Sequence, residues 1–228
     1  MVKMYIEIKN ATKIIDKNKV IDSVNLQFEK GKIYGLKGKN GSGKTMLMRA
    51  ICGLIRLTEG EIRIDGIPLG KNHEFPPSVG ALIENPGFIE NDNGFRNLKI
   101  LADIRGVIDE EEICTVMENI GLNPKEKKKV KKYSLGMKQK LGIAAAVMEH
   151  PELIILDEPT NALDTESVEK LNKILEEEKK RNALIIISSH DSEELDLLAD
   201  VIYIIENGKI IGQGTNTKKF NMEERRLE

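Results

Sequence analysis

Residues 38–45 read GKNGSGKT, with an apolar run before them (Ile33, Tyr34, Leu36) and a helix-spaced run after them (Leu47, Ala50, Ile51, Leu54). The octet meets the template G-x-x-x-x-G-K-[ST] at each fixed position. A strand, a glycine-rich turn and a helix N-terminus in succession aim backbone N–H groups at one point, which makes a socket for polyphosphate. Gly38, Gly41 and Gly43 permit backbone angles and a close phosphate approach that a Cβ would obstruct. Lys44 would set its ammonium against β- and γ-phosphates, and the Thr45 hydroxyl would ligate Mg²⁺. Asn40, Ser42 and Met46 complete the lining. The strand and helix on either side separate this loop from an ordinary glycine-rich turn.

Outward from the loop, the first 70 residues read mostly as strands. Tyr5 to Ile8 alternates, as do Val24, Leu26 and Phe28, and Glu61 to Ile64 runs into an Asp65-Gly66 turn. Such alternation predicts antiparallel strands with one wet face, wrapped around the phosphate loop. From about residue 95 to 150 the spacing is helical, through Leu98, Leu101, Ile104 and Ile108 and then Ile113, Met117 and Ile120. Two continuous apolar strands follow, Leu153–Leu156 and Leu184–Ile187, with a helix through Val168, Leu171 and Leu175 between them. Continuous runs alternating with helices predict parallel strands buried on both faces. Val201–Ile205, Asn207-Gly208 and Ile210-Ile211 predict a closing hairpin. The helical stretch is expected as an insert between the phosphate loop and the second strand of the core.

Leu153–Leu156 deliver Asp157 and Glu158 to the end of a buried strand, the side of an open parallel sheet on which ligands bind. Asp157 is placed to hold Mg²⁺ and Glu158 to polarise a water that attacks a γ-phosphate. Ser134 precedes a helix-patterned segment (Met137, Leu141, Ala144, Ala145, Met148) and reads as its N-cap. With Gly136 allowing close approach, that helix start is a second anion site. A third strand leads through Ser188-Ser189 to His190, whose place at the carboxyl end of a strand suits a γ-phosphate sensor.

The 228 residues suffice for one large domain, 40% are apolar, and the net charge is −2. This near-neutral balance argues against a dedicated nucleic-acid binder, so no nucleic acid is expected. No apolar run approaches the ~18 residues that cross a bilayer. The alternating start MVKMYIEIKN is unlike a signal peptide. Cys52 and Cys114 lack metal-ligand spacing and read as reduced thiols in the cytosol. Lys125 to Lys132 hold six lysines in eight positions and read as a solvated loop, as the charged helix around Glu176–Arg181 reads as a solvated face. The tail TKKFNMEERRLE is expected to fray.

GKNGSGKT, then YSLGMKQ, then LIILDEPTNALD and SSH, in this order, resemble the ATP-binding subunit of an ATP-binding-cassette (ABC) transporter over nearly the whole chain. The resemblance implies an α/β fold. It would be a P-loop NTPase (ABC ATPase) core with an N-terminal antiparallel β subdomain and a helical insert. It implies one domain, residues 1–228, with about 1–84 and 150–228 as the nucleotide-binding core and 85–149 as the helical subdomain. It further implies that two cassettes pair head to tail, either a second copy of this chain or a homologous cassette. ATP would lie between Gly41, Gly43, Lys44 and Thr45 of one subunit and Ser134 and Gly136 of the other. Asp164, in NALD, matches the loop that crosses this interface. Hydrolysis in such a family uses Glu158 as base and His190 to bridge water and γ-phosphate. An integral membrane permease would be a separate chain, which puts this subunit in the cytoplasm on the inner face of the membrane.

Three positions depart from the family pattern. The signature L-S-G-G-Q is here Tyr133-Ser134-Leu135-Gly136-Met137, which keeps the serine and the second glycine. Glu84, in SVGALIENPGF, stands where a glutamine is usual; its carboxylate accepts only and can ligate Mg²⁺ directly. Where an aromatic residue usually stacks on adenine, ATKIID offers Ile14 or Ile15, which opens GTP as a second nucleotide. Glu84 within IENPGF, with YSLGMKQKLGIA, resembles the subgroup of bacitracin resistance and lantibiotic self-immunity, which suggests export of antimicrobial peptides.

The competing reading is a soluble non-transport ATPase of the same class acting on nucleic acid or ribosomes. Against it stand the lack of a heptad insertion, of a duplicated cassette and of a basic surplus. A sensor that binds ATP without turnover would need neither Glu158 nor His190. A small-molecule kinase would need an acceptor pocket where the chain offers a second phosphate site.

Overall fold

The computed structural model describes residues 4–70, 74–84 and 86–215. The tail segment at 217–228, residues 1–3 of the alternating start and Asn85 of IENPGF lie outside the described residues. The chain opens with β1 (Ile6–Ile15), β2 (Asn18–Phe28), β3 (Lys32–Lys37) and α1 (Lys44–Ile51). Next come β4 (Glu59–Ile64), β5 (Ile67–Pro68) and β6 (Val79–Leu82), then α2 (Gly94–Arg105), α3 (Glu110–Asn119) and α4 (Leu135–Val147). The remainder is β7 (Leu153–Leu156), α5 (Thr165–Lys180), β8 (Leu184–Ser189), α6 (Ser192–Leu198), β9 (Val201–Glu206) and β10 (Lys209–Thr215).

The strands form an antiparallel sheet, β2-β1-β4-β5, and a mixed sheet, β10-β9-β3-β8-β7-β6. Asp16 and Lys17 close the β1–β2 hairpin with φ of 47° and 67°. Asn207 and Gly208 close β9–β10 with 47° and 75°. Two-residue turns with both angles positive carry the twist that antiparallel strands require. In the mixed sheet β9, β3, β8, β7 and β6 run parallel, and only β10 turns back.

Side-chain alternation splits the parallel strands between two cores. Ile154, Leu156, Ile185 and Ile187 pack with Leu141, Ala144, Leu171 and Leu175 of α4 and α5. Leu153, Ile155, Leu184 and Ile186 pack the other way, with Phe28, Leu47 and Ile51 beneath the antiparallel sheet. All eight strand residues are fully buried, each contributing roughly 1.5–3 kcal/mol of hydrophobic stabilisation. The mixed sheet is thus the middle layer, with its strand ends held rigidly where the phosphate loop emerges.

Two expectations change. The helical stretch does not sit between the phosphate loop and the second core strand, because β6 precedes it and pairs in parallel with β7, Leu82 beside Leu156. At four residues, VGAL, β6 is too short and too exposed to announce itself by pattern. In α2, Leu98 is buried but Leu101 is 39% and Ile104 76% exposed. At 3.6 residues per turn, each step of three falls about 60° short of a full circle, so the apolar series rotates out of the core. The buried face of α2 runs instead through Gly94, Asn97, Leu98 and Ala102.

Candidate nucleotide site

The phosphate loop joins β3, at the centre of the mixed sheet, to α1. Gly41 and Gly43 have φ of 79° and 108°, which β-carbon residues avoid. Gly38 is needed for space, since a Cβ there would fall 2.4 Å from the Ile205 carbonyl oxygen. The N-cap of α1 is Gly43, with no side-chain hydrogen bond. By contrast Asn93, Asp109, Ser134, Asp164 and Asp191 each cap their helix by accepting a backbone N–H. The first N–H groups of α1 therefore keep their positive field for a ligand. A cleft of about 400 Å³ lies over them, lined by Asn40 to Met46, Val20 and Glu158.

Three strand ends bring the polar groups to this cleft. The register sets Leu156 beside Ile187, so Asp157 and Ser188 come level at the carboxyl edge. Thr45 Oγ1 donates to Asp157 Oδ2 at 2.7 Å, and Ser188 Oγ donates to Asp157 Oδ1 at 2.5 Å. Ser188 Oγ also accepts the Glu158 N–H at 2.9 Å. The carboxylate of Glu158 spans two nitrogens, with Oε1 at 3.4 Å from Lys44 Nζ and Oε2 at 2.6 Å from His190 Nδ1. Lys44 is 5% exposed, and its ammonium donates to the carbonyls of Gly38 at 2.6 Å and Lys39 at 3.3 Å. A buried charge is tolerated because acceptors surround it.

This set suits a nucleoside triphosphate. The Ser42 hydroxyl is buried without a hydrogen-bond partner among the described residues, a donor that a phosphate oxygen would satisfy. A hydroxyl and a carboxylate converging from Thr45 and Asp157 match the few hard oxygen ligands that Mg²⁺ takes from protein beside substrate phosphates.

Lys44, Thr45, Asp157, Glu158 and His190 are therefore brought together, and Asn40, Gly41, Ser42, Gly43 and Met46 line the same cleft. Ser134, Gly136 and Asp164 lie outside it. Ser134 is exposed and caps α4 by accepting the Met137 N–H at 3.2 Å. Asp164 caps α5, and the Ser167 hydroxyl and N–H beside it hold its carboxyl below the usual carboxylate range. Glu84 is paired with Arg49 of α1 at 2.7 Å rather than with Thr45 or Asp157. Ile14 and Ile15, 37% and 38% exposed at the end of β1, also stand outside the cleft, and Val20 of β2 borders it instead.

Sequence reasoning passed over Ser188, Arg49 and Gln139, whose amide donates to the carbonyls of Glu158 and Pro159, each at 3.1 Å. Two serines buried at the end of a strand as apolar as Leu184–Ile187 were the available signal for Ser188.

The family model described as ABC transporter matches residues 21–161. An uncharacterized ABC transporter ATP-binding protein, YybJ of Bacillus subtilis (strain 168), is 47% identical over 205 residues, covering 90% of this chain and 94% of the relative. The bacitracin transport ATP-binding protein BcrA of Enterococcus faecalis is 42% identical, over 90% of this chain and 68% of its own. The lantibiotic transport ATP-binding protein SrtF of Streptococcus pyogenes is 37% identical, over 96% and 94%. A solved ATP-binding subunit of an ABC transporter superposes with a TM-score of 0.85 at 25% identity, over 97% of this chain and 94% of that one.

Proposed function

The chain belongs to the ABC transporter family as an ATP-binding subunit and ATPase, and from that premise we propose how its residues divide the work. Lys44 and the N–H groups of the loop from Gly38 to Met46 hold the β- and γ-phosphates. Thr45 and Asp157 hold Mg²⁺, which supplies neutralisation of phosphate charge when bound. Glu158 takes the proton of the attacking water. The water oxygen bonds to the γ-phosphorus as the bond to the bridging oxygen breaks, and ADP leaves with that electron pair. His190, on the other oxygen of Glu158, orients the base and faces the γ-phosphate.

Ser134 and Gly136 act on ATP held by a second cassette, either another copy of this chain or a homologue. Supporting this, Ser134 is exposed, and its hydroxyl, having accepted the Met137 N–H, still has a proton to donate. Asp164 stands in the loop that crosses between the two. Closure around ATP and reopening after hydrolysis drive an integral membrane permease, since no helix of the described residues is long and apolar enough to cross a membrane. The relatives named for bacitracin and lantibiotic transport favour an antimicrobial peptide as cargo, with the subunit on the cytoplasmic side of the membrane.

The observation that carries this reading is the placing of Glu158 between Lys44 and His190, one residue beyond the Thr45–Asp157 pair. In Glu158→Gln the amide does not accept the water's proton, and steady-state hydrolysis is expected to fall about 10²–10⁴-fold while an ATP-bound dimer accumulates. A tagged Glu158→Gln chain with ATP and Mg²⁺ is expected to recover a polytopic membrane protein from detergent-solubilised cells of the source organism. Hydrolysis at the parental rate would remove Glu158 as base. Recovery of ribosomes or DNA-associated proteins instead would favour the soluble ATPase.

A further inference from the structure

We infer that Gln139 is a positioning residue for Glu158, tying the helix that starts at Ser134 to the base of the same subunit. The inference rests on the assignment of Glu158 as base.

Glu158 has a φ of 49°, in the left-handed region that a residue with a β-carbon keeps only where its surroundings enforce it. Its carboxylate reaches both Lys44 and His190 from that backbone conformation. Three contacts hold the turn. Ser188 Oγ accepts the Glu158 N–H, the Asn161 N–H donates to the Glu158 carbonyl at 3.2 Å, and the Gln139 amide donates to that carbonyl and the next. Gln139 is the one contact among them that comes from outside the nucleotide sheet and its loops. Two consecutive carbonyls facing one side chain require a group with two N–H donors, which Gln supplies and Glu does not.

The same helix touches the same loop a turn earlier. A Cβ on Gly136 would fall 2.6 Å from the Ala162 carbonyl oxygen, so α4 rests on the loop after β7 at both levels. Under the proposed pairing, Ser134 and Gly136 meet ATP of the partner cassette while Glu158 serves ATP of its own. Gln139 then joins the two sites through one rigid helix. A shift of α4 on closure would reach Glu158 through two hydrogen bonds.

Gln139→Met keeps the length of the side chain and removes both donors. In the full chain its kcat is expected to fall about 10²-fold, the cost of roughly 1 Å of misplacement, with the Kd for labelled ATP within about twofold of the parent. Gln139→Lys restores N–H donors on a longer, flexible stem, and its kcat should lie about tenfold above Gln139→Met. The double variant Gln139→Met/Glu158→Gln is expected to be no slower than Glu158→Gln alone, since residues acting as a unit do not add. A parental kcat in Gln139→Met overturns the inference, as does a loss in which Kd and kcat move together. If Gln139→Met does not fold, Gln139→Glu, of the same shape but without either N–H donor, decides alone, and a parental kcat there overturns it equally. Slow turnover in Glu158→Gln with fast turnover in Gln139→Met defeats this inference and leaves the base in place. Fast turnover in Glu158→Gln defeats the base assignment itself.

Discussion

Thr45 and Asp157, 112 positions apart in the chain, meet through an O–H···O hydrogen bond of 2.7 Å. The contact joins the first turn of α1 to the end of β7 across the intervening β8. Ser188 of β8 holds the second carboxylate oxygen, so the side chain is fixed from both sides. Under the proposed Mg²⁺ assignment, both oxygens are thereby held in place ahead of the cation, which lowers the ordering cost of binding it.

Thr45→Val keeps the shape of that side chain and removes its oxygen. The affinity for labelled ATP is expected to fall about tenfold in the presence of Mg²⁺, equivalent to about 1.4 kcal/mol, and to match the parent in EDTA. Asp157→Asn should show the same pattern. Equal losses with and without Mg²⁺ in an equilibrium titration would mean that both residues serve the loop's shape and not the metal.

Cys52, at the C-terminal end of α1, is 4% exposed, and burial pushes its thiol up to about 12. Cys114 is half-buried. Only the thiolate attacks an aromatic disulfide, so the native chain is expected to show one reactive thiol at neutral pH and two after denaturation. Because the folded pKa lies above the unfolded value near 9, the stability linked to this group is complete below about pH 9 and drains away as the pH rises toward 12. Urea midpoints should therefore drop between pH 8 and 11 more in the parent than in Cys52→Ala. Two fast-reacting thiols in the native protein would refute the burial.

Much of this was legible because chemistry concentrates where chain pattern breaks. The phosphate loop, Asp157, Glu158 and His190 each end an apolar strand, and the register then brings them level. The helix cap at Ser134 was equally readable, as a hydroxyl before a helical spacing. Residues whose role depends on a neighbour distant in sequence were not. Nothing local tells that Gln139 faces the carbonyl of Glu158, or that Arg49 faces Glu84, since both are polar residues on helices where solvent is the default partner. Strand β6 hid for a different reason: a four-residue edge strand buries too little to impose alternation on the sequence.

Glu84 tests which of two partners a carboxylate keeps. It lies just beyond β6, with a φ of 59°, and its side chain is 58% exposed against Arg49. An exposed pair of this kind contributes at most about 1 kcal/mol, so Glu84→Gln should shift Tm by no more than about 4 °C. The informative measurement is hydrolysis against Mg²⁺ concentration. While Arg49 retains the carboxylate, half-saturating Mg²⁺ is expected to stay within about twofold of the parent in Glu84→Gln, because the proposed protein ligands are Thr45 and Asp157. A rise of about tenfold, persisting when the same substitution is made beside Arg49→Ala, would show that nucleotide draws Glu84 away from Arg49 and onto the metal. That outcome would make the Arg49 pair a resting latch on the loop after β6, and the first ligand set of two would become three.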